Sequence, residues 1–278
     1  MTRQSITSSA GMGAAILAGI TLAALLAQVI SPSAPETQQL IQRLDPPSWA
    51  GGEHGRLLGT DHLGRDVLSR VIHGARVSLA IGIAGVVLSG SIGVSLGLVA
   101  GYYGGHWDRV IMRIADLQQA IPGLVLAIAV VAVVRPSLIS LIVVLALTTW
   151  ITFARLIRSE VLALRESLFV IAARMVGARD RRIIARHILP NVAPSIIVMG
   201  SITGASVILI EASLSFLGLG VPPPTPTWGR MVFDGLDYVS TAWWIPVFPA
   251  AAVMLTVLGS NLVGDGLRDL LDPRLPRR

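Results

Sequence analysis

Long apolar stretches separated by short polar ones dominate the chain. They fall at residues 11–30, roughly 77–101, about 119–134 and 137–154 with a turn at Arg135-Pro136 between them, about 192–217 and about 246–264. An α-helix rises 1.5 Å per residue, so about 20 apolar residues cross a hydrocarbon core of about 30 Å. The pattern therefore predicts an all-α integral membrane protein with about six transmembrane helices. The 119–134 arm is short for a full crossing: it tilts little, begins before Asp116, or is partly re-entrant. Residues 11–30 are long for the apolar part of a signal peptide and read as a retained helix.

Small residues mark where these helices touch. Gly11, Ala15, Gly19, Ala23 and Ala27 recur every fourth position in the first stretch, and Gly85, Ser89, Gly93, Gly97 and Gly101 do so in the second. That spacing lets helix backbones approach closely in lipid. No strand precedes the second set, which argues against a nucleotide-binding glycine loop. Before it, Val67, Leu68, Val71 and Ile72 predict an amphipathic helix lying on the membrane. Residues 102–118 read as a polar link, and residues 31–76 and 218–245 as loops on the opposite side. The sequence divides into a first helix and loop (1–76), a transmembrane core (77–264) containing the polar segment 155–191, and a tail (265–278).

The polar segment has an internal plan. Ala172, Ala173 and Val176 give a helical turn with little side-chain bulk, and Gly177 follows where a helix can end in the left-handed conformation. Asp180 opens a second short helix in which Arg181, Arg182 and Arg186 alternate with Ile183, Ile184 and Ile188, until Pro190 stops it. Two short helices joined at Gly177 form a basic elbow at a membrane surface, suited to docking.

Composition sharpens this picture. The chain is 53% hydrophobic and only 14% charged, with 22 basic residues that are all Arg. Most of these arginines lie before residue 11, in 102–118, in 155–191 and in the tail, which predicts a cytoplasmic elbow and cytoplasmic N- and C-termini. No basic stripe interleaved with aromatics accompanies them, so nucleic acid is not an expected partner, whereas anionic membrane lipid is. There is no Cys, hence no disulfide, thiolate metal site or Cys nucleophile. His54, His62 and His73 match no short ligand spacing, and no metal site is expected.

Glu211 is the one acidic residue well inside an expected span. An ionisable group there is costly; it either lines a pathway or sits neutral or hydrogen-bonded against a neighbouring helix. No second buried carboxylate, HExxH or GxSxG accompanies it, so no catalytic constellation exists and the chain is not expected to be an enzyme. A P-loop ATPase needs a Lys to reach the β- and γ-phosphates. With no Lys, any ATP that drives this chain must be hydrolysed by another polypeptide. A self-sufficient secondary transporter would show inverted repeats and mid-membrane charge, and a membrane-embedded enzyme a catalytic constellation.

The run Ala172-Ala173, three residues, Gly177, then His187-Ile188-Leu189-Pro190 resembles the coupling loop of ABC importer permeases, which docks on the ATPase subunit. Ile171 stands where the usual pattern has Glu, and His187 where an apolar residue is common; both resemble the peptide-permease variant. Three further stretches, Leu58–Leu79, Leu214–Gly229 and Asn261–Arg274, are similar to the C-type permease subunit of the dipeptide/oligopeptide/nickel import family. The resemblance implies a type I importer permease fold in a bacterial cytoplasmic membrane and a function in peptide import, with nickel, haem or another small solute as alternatives. It implies four kinds of partner or ligand: a homologous B-type permease, two ATPase subunits, an extracytoplasmic solute-binding protein, and ATP with Mg held on the ATPases, this chain binding no cofactor. By the same resemblance the helix from Arg165 to Val176 sits in an ATPase cleft, with Ala172, Ala173, Val176, Gly177, His187, Leu189 and Pro190 as the coupling residues. Glu211, Trp228 and Gly229 are then expected at the outer end of the pathway or at the binding-protein contact.

Overall fold

The chain enters through helix α1 (Arg3–Leu25) and a short turn, α2 (Ala27–Ile30), in a computed structural model that describes residues 3–52 and 54–271. After an irregular segment the chain forms α3 (Val67–Tyr103), 37 residues long. Asp66 caps it by accepting the Ser69 N–H at 2.8 Å, as a side-chain acceptor does at a helix start. The helix expected to lie on the membrane before the second span is thus the first turns of that span. Nothing in 67–77 breaks the backbone, and Gly74 is buried against Trp228 rather than ending a helix.

The expected polar link at 102–118 is also helical. After Gly104, α4 (Gly105–Gln119) buries Ile111 and Ala115, leaves Arg109 and Arg113 exposed and pairs Asp108 with Arg158. It is followed by α5 (Gly123–Val133), and the two axes are bent by 87°. Next comes α6 (Leu138–Leu164), which continues ten residues beyond the expected end of its apolar stretch and carries Arg155 and Arg158. The elbow follows as α7 (Leu168–Met175) and α8 (Asp180–Ile183). From Ile184 to Ile188 the helix widens to a π-turn and passes into α9 (Leu189–Phe216). Pro190 therefore does not stop the second limb. Its missing N–H and its ring, which would strike the carbonyl four residues back, are accommodated by the wider turn. The side chain of Asn191 donates to the His187 carbonyl at 2.6 Å, giving that oxygen a partner.

The loop expected at 218–245 contains α10 (Trp228–Gly235), and α11 (Trp244–Leu271) closes the described chain. The divisions expected after residues 76 and 264 fall inside α3 and α11. Residues 272–278 of the tail, with Arg274, Arg277 and Arg278, lie outside the described residues. Among the described residues four helices are long and apolar enough to cross a membrane: α3, α6, the continuous run from Asp180 to Phe216, and α11; the bent α4–α5 pair adds a fifth if it counts as one span. In α1 the apolar part, Ser9–Leu25, is at the short end of the spanning range.

Close packing of α3 on α6 forms the centre. A methyl group at Gly97 would lie 2.7 Å from the Ala154 carbonyl oxygen, and one at Gly101 2.7 Å from Val161 Cβ, so the fourfold spacing of small residues in α3 is an interface between backbones. The matching stripe in α1 is not. Gly11 and Gly19 have open space around them, and Gly13, off the stripe, meets Leu262 and Gly259 of α11. Period alone shows that a helix has a smooth face, not which face its neighbour takes.

At the end of the bundle away from the elbow, an ion-pair knot fastens the irregular segment. Asp61 accepts the backbone N–H groups of Leu63 and Arg65 at 2.9 Å each and Arg65 Nε at 2.6 Å, and also pairs with Arg70. Arg70 lies 3.9 Å from Asp234, which pairs with Arg230 at 2.9 Å. Trp244 Nε1 donates to the Thr60 carbonyl at 3.0 Å. The knot joins the 31–66 segment to α3, α10 and α11.

Candidate coupling elbow and opposite cap

The elbow's inner face is apolar and fixed. Val170 of α7, Ile183 of α8, Ile188 of the π-turn and Val192 of α9 bury themselves with Tyr102 of α3 and with Ile157 and Val161 of α6. Arg165, just past the end of α6, reaches back to the Gly101 carbonyl at 3.2 Å. The Arg174 guanidinium sits 5.0 Å from the Tyr102 ring centroid. Each limb is thereby tied to α3 and α6.

Gly177 makes the corner. Its φ of +81° lies in the left-handed region that favours glycine. Its N–H bonds to the Arg174 carbonyl at 2.9 Å and the Ala178 N–H to the Ala173 carbonyl at 3.0 Å, the paired bonds of a Schellman cap. Ala173 and Ala178 both pack on the inner cluster, supplying the apolar contact such a cap usually carries.

The outer face is a stripe. Leu168, Met175 and Val176 are 86%, 85% and 86% exposed, and Ile171 and Ala172 lie exposed between them. Their spacing of three and four residues puts all five on one side of the helix. Of the two alanines only Ala172 belongs to this surface. His187 is half-buried, with its ring 6.5 Å from that of Phe169, and Leu189 and Pro190 are exposed. The bulk at Leu168 and Met175 is visible only once the helix direction is known, and Tyr102 is brought to the elbow by tertiary structure alone.

Glu211, Trp228 and Gly229 meet at the opposite end. Glu211 and Trp228 are each 1% exposed. Ser215 Oγ donates to Glu211 Oε1 at 2.8 Å, and the Thr227 side chain faces the same carboxyl. Trp228 donates its backbone N–H to Ser78 Oγ at 3.2 Å and its indole N–H to the Val71 carbonyl at 2.9 Å. A methyl group at Gly229 would lie 2.7 Å from Ala212 Cα. The start of α10 is thus pressed onto α9 at Glu211 and hung on α3 through Trp228.

Residues 93–277 match the family described as the inner membrane component of binding-protein-dependent transport systems. The chain belongs to this family. Among its relatives, the di/tripeptide transport permease DppC of Pseudomonas aeruginosa is 44% identical over 92% of this permease and 85% of its own length. The oligopeptide transport permease OppC of Bacillus subtilis is 40% identical over 95% and 85%. The glutathione transport permease GsiD of Pectobacterium atrosepticum is 43% identical over 98% and 88%. Among solved structures, the inward-facing MetNI methionine ABC transporter contains a chain that superposes with a TM-score of 0.59 at 19% identity, over 74% of this permease and 98% of that chain. The fold is that of an ABC importer permease.

Proposed function

We propose that this permease forms half of the translocation pathway of an ATP-driven importer of di- or oligopeptides. The observation that carries this reading is the identity of 40–44%, along almost the whole chain, with permeases named for di/tripeptide, oligopeptide and glutathione transport. A homologous B-type permease supplies the other half of the pathway. Two ATPase subunits bind ATP and Mg and supply the work, and an extracytoplasmic solute-binding protein delivers the peptide. The elbow and both termini face the cytoplasm, as the distribution of Arg favours.

In this mechanism the outer stripe of α7 docks in a groove of one ATPase, with Ala172, Val176 and Gly177 at the contact and Ala173 holding the helix to the permease. His187, Leu189 and Pro190 form the second limb of the joint. A lever transmits motion only if it is stiff along its length. The cluster of Val170, Ile183 and Ile188 with Tyr102 and Ile157 makes α7 move with α3 and α6, so closure of the ATPases becomes a rigid-body shift of the bundle. Glu211, Trp228 and Gly229 act at the outer end of the pathway, where α10 ties α3 and α9 together.

Co-expression with candidate partner subunits and reconstitution in proteoliposomes tests this reading. The expected result is a stable complex whose uptake of a labelled dipeptide requires ATP and the binding protein. Uptake by this chain alone, or a complex that hydrolyses ATP and imports no peptide, overturns it.

A further inference from the structure

At the bend between α4 and α5 lies a cavity of about 420 Å³ bordered by Gln118, Gln119, Gly123, Thr148, Thr152 and Arg155. Its position is unusual for polar groups. The 27-residue helix α6 is about 40 Å long at 1.5 Å per residue, longer than a hydrocarbon core of about 30 Å. The apolar part of α6 ends near Ala154, so Thr148 and Thr152 stand within the last two turns of that part and Arg155 just beyond it, at the end expected to face the cytoplasm. They recur at spacings of four and three, which places them on one side of the helix.

Part of this polar set is structural. Gln118 donates to the Leu147 carbonyl at 2.6 Å and accepts from Trp150 Nε1 at 3.0 Å, which holds the broken helix against α6. The rest is free. Gln119 and Thr152 are exposed, and neither side chain makes a hydrogen bond to another described residue. Arg155 Nη2 lies 2.6 Å from Asp116 Oδ1, with side chains 43% and 60% exposed. Polar groups of this kind do not face hydrocarbon; inside a membrane they line water-filled space or a protein interior.

We propose that this cavity is a transit site for a zwitterionic peptide, a reading that rests on the peptide-import function above. On separating, the closed pair of Arg155, on the cavity wall, and Asp116, beside it, offers a cation to the terminal carboxylate and an anion to the terminal ammonium. Gln119 and Thr152 stand between the α4–α5 bend and α6 to bond the peptide amide. The pair neutralises itself when the site is empty, so no uncompensated charge remains in the membrane. Gly123 borders the cavity and has open space around its Cβ position, which makes it the place to add bulk.

The chain has no Cys, so Thr152→Cys introduces its single thiol, and labelling of this subunit reports that site in the assembled complex. The charged, water-borne reagent MTSET should modify it about tenfold faster than Val143→Cys, on the opposite side of α6, and dialanine should slow the modification. Arg155→Gln should abolish that protection, and Gly123→Trp should block dialanine uptake while the complex still assembles. Equal, slow modification at both positions means that the face meets lipid and overturns the proposal. Fast modification that dialanine never slows, in a complex that imports dialanine, overturns the assignment of the ligand. Failure of the peptide reading itself appears earlier, as a wild-type complex that imports no peptide.

Discussion

Tyr102 donates its hydroxyl hydrogen to Asp180 Oδ1 at 2.6 Å, joining the end of α3 to the second limb of the elbow. In Tyr102→Phe the ring still packs in the inner cluster and still lies under Arg174, and only the bond is lost. A hydrogen bond to a charged group contributes roughly 1.5–3 kcal/mol. The variant should assemble with a slightly lower melting temperature and show a larger fall in uptake than in ATP hydrolysis. Melting and uptake measured on one preparation check this.

Gly177 has no heavy atom within 4 Å of its Cβ position, so substitution there meets no steric obstacle in the chain. The cost is conformational, about 1–2 kcal/mol for an ordinary L-residue held in the left-handed region, and less for Asn, which visits it more readily. Uptake should fall in the order Gly, Asn, Ala, Val. An uptake series on purified complexes tests that order.

At the other end, Gly229 and Gly74 make an informative pair. A methyl group at Gly229 meets the backbone of Ala212 at 2.7 Å, whereas one at Gly74 meets the edge of the Trp228 ring at 3.3 Å. Gly229→Ala should cost about 1–3 kcal/mol through overpacking and lower the yield of folded permease, while Gly74→Ala should remain near wild type. Thermal unfolding in detergent distinguishes them.

Asp61 predicts an acid-sensitive cap. Burial acts to raise its pKa, but Arg70, Arg65 and the backbone N–H groups of Arg65 and Leu63 together hold it below the ordinary carboxylate value. A group whose pKa is depressed by folding contributes stability above its unfolded pKa and loses it as pH falls through the folded one. Asp61→Asn should therefore lower the melting temperature at pH 7, with a difference from wild type that narrows in acid below pH about 4. Melting curves across that range check the sign.

Sequence periodicity revealed most of the architecture because apolar stretches near 20 residues have few alternatives in a membrane. Gly177 was legible for a similar reason, since few residues other than glycine end a helix in the left-handed region. The fold departs from that pattern where tertiary contacts decide. Charges on one face of α4 hid its helical period, and Pro190 is tolerated because a π-turn widens around it. Of two similar small-residue stripes, that in α3 is packed against α6, whereas Gly11 and Gly19 of that in α1 have open space around them. Tyr102, Gln118 and Arg155 meet partners distant in sequence. Thr148, Thr152 and Arg155 were masked by strongly apolar neighbours, although their spacing already placed them on one side of a helix.

The coupling role proposed for α7 is tested most directly by the number of ATP molecules hydrolysed per peptide imported. Met175→Glu and Val176→Glu place charge on the outer stripe without touching the inner cluster. In proteoliposomes containing the full complex, each substitution should either release the ATPase subunit or raise that ratio about tenfold. A complex that keeps its full set of subunits and an unchanged ratio in both variants would contradict the assignment.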